Sequence, residues 1–396
     1  MSQATEAKTP APDAAQHGAA TPDLLYTEDE IALREAVRAL LEDQAGWREV
    51  LARTESGQTY DTGLWAQLAG QVGVAGLLIG EDAGGAGASY REIAVVAEEL
   101  GRSLAAVPFL GSAVVATTAL LSVGDELLPE LASGAVTAAL AVPFATVPGS
   151  RPATTVRIEG AGPGDPAGTY RLTGTVTGIA DALTADVLLV PGDGVPYGLY
   201  AIRADDEGVT RAAVTSLDMT RQLCDLTLAG VPARQVAVGE AAQQAVESAI
   251  AAGAGILASE QLGMAEQCLE MTVAYLKERR QFARVVGSFQ ALKHRLADLY
   301  AAVVQARAVA RYAADCLAAG SPDTPVAIAV AKATCSDVAL KAAQETIQLH
   351  GGIGFTWEHP AHLYLKRAKA DSIAFGTSDF HRGSLAALVD LPAAGA

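Results

Sequence analysis

The sequence predicts an α+β protein of several domains: an N-terminal helical domain, a middle β-barrel or sandwich domain, and a C-terminal four-helix bundle. Three observations predict it. From about Thr27 to Leu131 the apolar residues recur at helical spacing. Between about Ala138 and Val238 short alternating runs take over, separated by Gly, Pro and Asp clusters. From about Glu240 to Val389 long helical patterns return. A chain of 396 residues exceeds the usual size of one hydrophobic core, so division into domains is expected on length alone. The expected boundaries are a tail at 1–24, the first domain at 25–135, the β domain at 136–240 and the bundle at 241–392.

The first residues are rich in Ala, Pro, Thr and Gln and lack the apolar core of a signal peptide, which predicts a disordered tail. Thr27-Glu28-Asp29-Glu30 is a helix start, a cap residue followed by acidic groups at the positive end of the dipole. The Gly-rich break from Gly80 to Gly87 contains Glu81 and Asp82, no Lys and no GxGxxG spacing. That reads as a turn, not a phosphate cradle. The next helix is expected over Tyr90 to Leu100. The uncharged stretch Ala105 to Val123 is nearly long enough to span a bilayer, but its Pro108, Gly111 and Ser112 predict a buried helix pair with a turn. Strands are expected at 155–158, 170–173, 187–190, 199–202 and 235–238. Helices are expected from Glu240 to Glu278, Phe289 to Ala319 and Pro325 to His350.

Composition narrows function. The net charge of −17 disfavours a nucleic-acid partner. It does not exclude a phosphorylated ligand held by a few local Arg residues and backbone N–H groups. Cys224, Cys268, Cys316 and Cys335 are scattered, without metal-site spacing, and predict buried free thiols in a reducing cytoplasm. His294, His359, His362 and His381 have no acidic partners at metal-ligand spacing, and His350 reads as a helix-end residue bonding a local carbonyl.

The most specific motifs lie in the last third. They are Arg279-Arg280-Gln281-Phe282, Phe289-Gln290, Gln348-Leu349-His350-Gly351-Gly352 and Phe375-Gly376-Thr377. With the helical, β, helical order, these resemble the acyl-CoA dehydrogenases, flavoenzymes that desaturate acyl-CoA thioesters. Ala97-Glu98-Glu99-Leu100-Gly101-Arg102 and Leu172-Thr173-Gly174 extend the resemblance into the other domains. It implies FAD lying across a subunit interface. By that resemblance Arg279 would pair with the pyrophosphate, with Phe282 and Phe289 beside it. Gln348, Gly351 and Gly352 would form a second contact and Gly376 with Thr377 a third. An Arg fork suits phosphate oxygens, and glycines allow close backbone approach. Taken singly, Arg279-Arg280 would read as a solvated helix face and Gly351-Gly352 as a helix stop.

The chain also departs from the family. Where those enzymes usually carry the catalytic Glu before Gly-Thr, this sequence has Phe375. Some members place the base in the long helix instead, at the position of Gly253 here. The usual Thr-Glu-Pro beside the flavin is matched by Ala141-Val142-Pro143. No catalytic residue is therefore assigned. The resemblance then implies a subunit of a heteromeric α2β2 acyl-CoA dehydrogenase. This chain would contact the FAD of a homologous partner subunit that carries the Glu. An acyl-CoA, including the CoA thioester of a steroid side chain, would be the substrate, and electron-transfer flavoprotein the acceptor. The alternative is a self-sufficient homotetramer with a relocated base, for which Glu260, Glu358, Asp371 and Asp379 are the candidates.

Overall fold

The computed structural model describes residues 22, 24–58, 60–152, 155–160 and 169–391, so most of the expected tail lies outside the described residues. The first domain holds α1 (Glu28–Gln44), α2 (Trp47–Thr54), α3 (Thr62–Gln67), α4 (Tyr90–Ser103), α5 (Thr117–Leu121) and α6 (Leu128–Ala132). The start of α1 is a capping box. The Thr27 hydroxyl accepts from the Glu30 N–H at 3.2 Å, and the Glu30 carboxylate accepts from the Thr27 N–H at 2.7 Å. The Gly-rich break is a turn, as expected. Gly84 and Gly87 have φ of 81° and 61°, and a Cβ on Gly85 would lie 2.1 Å from the Ile79 carbonyl oxygen.

The stretch expected as a helix pair is one helical run. It is π-wound over Phe109–Ala116 and continues into α5, with Phe109 to Leu120 buried. Pro108 and Gly111 serve other purposes than a turn. Pro108 stands before the first turn, and the Gly111 N–H donates to the buried Asp181 carboxylate at 2.8 Å, where a Cβ would collide. Among the described residues no helix is long and apolar enough to cross a membrane.

The middle domain is one seven-stranded sheet of β1 (Ala138–Leu140), β2 (Arg157–Gly160), β3 (Thr169–Ala180), β4 (Val187–Gly192), β5 (Gly198–Arg203), β6 (Val209–Ala213) and β7 (Leu223–Val238). The order is β1-β4-β5-β7-β3-β2, and only β1 and β4 run parallel. The long β7 shares one edge between β6, near its start, and β5, near its end. Register shifts at Leu172/Thr173 and Val176/Ile179 let β3 follow its bend.

The C-terminal domain has three long helices, α7 (Glu240–Glu278), α8 (Gln290–Ala319) and α9 (Thr324–His350). A short hairpin of β8 (Arg280–Gln281) and β9 (Arg284–Val285) joins α7 to α8. Two short helices, α10 (Ala361–Asp371) and α11 (Ser378–Leu388), both pack against α9, so the fourth helix of the bundle is broken in two. All four cysteines are buried free thiols.

The crossing of α4 and α7 anchors the first domain on the bundle. A Cβ on Gly101 would lie 2.1 Å from the Glu260 carbonyl oxygen, and one on Gly263 would lie 1.9 Å from that of Glu98. The helices touch backbone to backbone, and nothing flexible can give way. Gly263→Ala is expected to lose about 1–3 kcal/mol despite its better helix propensity. The check is the urea midpoint; an unchanged midpoint would mean that the helices can separate at no cost.

Candidate functional site

The two positions where the resemblance would place a base, Gly253 and Phe375, face each other across the cleft. Gly253 lies about a third of the way along α7, and Phe375 lies in the turn between α10 and α11. A Cβ on Gly253 would sit 2.7 Å from Phe375 Cζ and 3.0 Å from Val115 Cγ2, so the Phe375 ring fills the space above the glycine. Phe375 is held in the left-handed region (φ 52°), a costly place for a bulky residue. Its N–H donates to the Phe144 carbonyl at 2.9 Å, and its own carbonyl lies 2.9 Å from His381 Nε2. The Phe144 ring meets it edge to face at 5.2 Å between centroids, and the Arg221 guanidinium lies 5.3 Å from the Phe144 ring. A cavity of about 20 Å³ remains between Leu110, Val115, Val142, Phe144, Ala180 and Phe375. That is room for one or two water molecules.

The neighbouring Gly376 is buried with φ 101°, and its carbonyl accepts from Lys332 Nζ at 3.3 Å. Thr377 is exposed, but its hydroxyl caps α11 by accepting from the Phe380 N–H at 3.3 Å. The sequence alone missed this competing use of the motif threonine.

The other expected contact residues gather at the far end of the bundle. Arg279 ends α7, and Gln348, Gly351 and Gly352 end α9. The two helix ends are tied by Tyr275, which stacks on His350 at 4.4 Å between centroids. His350 Nδ1 lies 2.7 Å from the Thr346 carbonyl, as a helix-end residue should. Arg279, Gln348, Gly351 and Gly352 are all exposed. Phe282 is 84% exposed, and with Ala283 it forms a two-residue hairpin turn in which both φ are positive (51° and 60°). Such turns ordinarily take Asn or Gly. The Phe282 ring meets only the edge of Phe289 among the described residues, so most of this strained side chain faces solvent. Phe289 is half-buried, 6.2 Å from Phe282 and covered by Arg284 at 3.7 Å. Ile353, Phe355 and Trp357 are also exposed beside this set. The structure thus separates the expected residues. Lys332, which touches Gly376, and Gln348 are about 24 Å apart along α9 at 1.5 Å per residue.

The candidate relocated bases are engaged elsewhere. Glu260 accepts from Arg221 at 2.6 Å and from Arg367 at 2.9 Å. Asp371 is fully buried and pairs with Arg221 at 3.2 Å, while Lys332 Nζ donates to its backbone carbonyl at 2.8 Å. Burial pushes the Asp371 carboxyl up to about 7 against the pull of Arg221, and pulls the Lys332 ammonium down to about 8. Asp218, from the loop before β7, pairs with Arg367 at 2.9 Å. These groups form an ion cluster that joins the β domain to the bundle. Asp379 faces solvent 3.4 Å from Arg382, and Glu358 is exposed beside the His350 end. Among the described residues no group of His, Cys, Asp and Glu is arranged to hold a metal.

Residues 238–389 match the family model of the acyl-CoA dehydrogenase C-terminal domain, and residues 27–135 that of the N-terminal domain. The chain belongs to the acyl-CoA dehydrogenase family. Among its relatives, acyl-CoA dehydrogenase IpdE2 of Mycolicibacterium smegmatis is 36% identical over 88% of this chain and 95% of its own. IpdE2 of Mycobacterium tuberculosis is 38% identical over 86% of this chain and 91% of its own. A variant of the Tcur3481-Tcur3483 steroid ACAD superposes with a TM-score of 0.80 at 30% identity, covering 92% of this chain and 98% of that one. The ChsE4-ChsE5 complex from M. tuberculosis gives 0.82 at 28% identity, covering 94% and 100%. Acyl-CoA dehydrogenases are FAD-dependent oxidoreductases, and the three-part order of this chain is the family's architecture.

Proposed function

We propose that this chain is the supporting subunit of a heteromeric FAD-dependent acyl-CoA dehydrogenase, with a homologous partner subunit carrying the catalytic Glu. The observation that carries the reading is the packing of Phe375 on Gly253. At both places where the family sets its base, this chain has a residue that cannot accept a proton, and the one fills the space of the other. A flavin ring does not fit the cavity of about 20 Å³ that remains.

The far end of the bundle fits a cofactor held by a neighbour. Arg279 would pair with the pyrophosphate, Phe282 and Phe289 would cover it, and Gln348, Gly351 and Gly352 would approach it with polar and backbone groups. Arg279 and Arg280 form no salt bridge among the described residues and remain available. Gly376 and Thr377 belong to the closed cleft and would shape the turn that holds Phe375. When bound, FAD supplies hydride acceptance from the acyl β-carbon; proton abstraction from the α-carbon would fall to the partner's Glu. The structural relative named as a steroid ACAD supports a steroid side-chain CoA thioester as substrate, and electron-transfer flavoprotein is the proposed electron acceptor.

The test is a visible absorption spectrum of the chain alone and of the complex co-expressed with a homologous partner. Flavin bands are expected only in the complex, at about one FAD per two chains. Flavin bound by this chain alone, bleaching when acyl-CoA is added, would overturn the reading.

A further inference from the structure

The turn that carries Phe375 runs from Ser372 to Thr377, between α10 and α11. Two of its residues stand at positive φ, Phe375 at 52° and Gly376 at 101°. Glycine accepts such a backbone, but for a bulky Phe it persists only where the surroundings fix it. The turn's own bonds do not supply that. The Gly376 N–H reaches Ile373 at 3.2 Å, while the Phe375 N–H leaves the turn for Phe144.

The fixing comes from α9. Lys332 is 0% exposed, and its Nζ donates to the Asp371 carbonyl at 2.8 Å and to the Gly376 carbonyl at 3.3 Å, the two ends of the turn. Its third bond goes to Ser336 Oγ at 2.8 Å, which lies 3.0 Å from Gln261 Nε2 on α7. One ammonium thus ties the turn to α9 and, through Ser336, to the helix that carries Gly253. Charge neutralisation does not account for a lysine here. All three donated bonds end on neutral oxygens, and the nearby carboxylates of Asp371 and Asp337 are paired with Arg221 and Arg382. Burying an ammonium is costly, and an apolar side chain would fill the space without that cost, so the donors are what the position uses. His381 Nε2 also holds the Phe375 carbonyl, at 2.9 Å, but from α11, six residues along the same segment. Lys332 reaches in from the core of the bundle.

We propose that Lys332 is the latch of the closed cleft, a positioning residue whose ammonium grips both ends of the α10–α11 turn and so seats the Phe375 ring on Gly253. The proposal rests on the reading that Phe375 closes the cleft, and it adds what keeps it closed. The cleft of this subunit is held shut from the bundle core, which keeps flavin and acyl chain out of it.

The probe is a thiol placed in the cleft by Val142→Cys, since Val142 is buried and lines the cavity beside Phe375. The four native cysteines are buried and supply the background. The rate of reaction with a maleimide is measured in the co-expressed complex without denaturant. Lys332→Met keeps an apolar stem and removes the three donors. It is expected to speed labelling about tenfold or more, the effect of losing bonds from a charged donor. Gly263→Ala, whose clash is with Glu98 on α4 and not with the turn, is expected to leave the rate near that of the parent. That comparison separates a latch from general loosening. If Lys332→Met does not fold, Lys332→Gln takes its place. Its amide is a bond shorter and cannot span both carbonyls, so labelling is expected to rise about threefold. The proposal is overturned if labelling in the Lys332 variant stays at the parent rate, or if Gly263→Ala raises it equally. Failure of the supporting-subunit reading has a different signature: flavin in this chain when purified alone.

Discussion

Replacing Arg279 with alanine is expected to weaken FAD binding by the assembled complex about ten- to a hundredfold, the value of a charge-assisted hydrogen-bond pair of about 1.5–3 kcal/mol. The argument is one of position. Arg279 caps α7, is exposed, and has no salt-bridge partner among the described residues. Its loss therefore costs the chain's own fold almost nothing. Phe282 stands in a strained turn beside it, 84% exposed. Arg279→Lys is expected to recover only part of the affinity, because an ammonium lacks the planar fork that matches phosphate oxygens. The measurement is FAD per complex after gel filtration at defined dilution, with the melting temperature of the isolated chain as the folding control. Unchanged occupancy in Arg279→Ala would remove this end of the bundle from the cofactor site.

How far sequence reaches is seen by comparing the long helices with the cleft. Helix α7 runs from Glu240 to Glu278, as its periodicity predicts, and α8 and α9 begin within one residue of expectation. Long runs of helix formers with no interrupting Pro report local geometry directly, and α7 is buried all round from Ala252 to Glu266 instead of along one stripe. The capping box at Thr27 was legible for the same reason, since all its partners lie within one turn. Strands β1 and β6 were not legible, because each is short and is defined by a partner distant in sequence: Ala138 pairs with Val187, and Val209 with Leu228. The lost base could be seen as a missing residue type at Phe375 and at Gly253. That the two positions touch could not, since 122 positions of chain separate them by number and only the packing of α7 against the turn after α10 brings them together. Arg221, Arg367 and Lys332 were missed altogether. Singly each looks like a surface cation, and burial among Glu260, Asp218 and Asp371 is a tertiary fact.

That cluster supplies the second large prediction, and it separates structure from catalysis. Arg221 brings one guanidinium to two buried carboxylates, Glu260 at 2.6 Å and Asp371 at 3.2 Å. Removing one partner of a buried pair typically costs about 3–5 kcal/mol, because the remaining charge is left uncompensated. Arg221→Ala is expected at the lower end, about 3 kcal/mol, since Arg367 still holds Glu260 and Asp371 can take up a proton. The sign with pH follows. Asp371 in the fold already holds its proton to about 7, above its unfolded value, so the fold binds more protons than the unfolded chain and gains stability as pH falls. Loss of Arg221 raises that carboxyl further. The variant's deficit, measured by urea midpoint, should therefore be larger at pH 8 than at pH 6. Glu260→Gln breaks the same cluster and is also expected to destabilise the chain. In the assembled complex, however, it should leave turnover nearly intact, because Glu260 is bonded to two arginines roughly two helical turns from Gly253. A fall of about 10²–10⁴ in kcat with FAD retained is what removal of a general base would produce. That result would make Glu260 the base and this chain an enzyme in its own right.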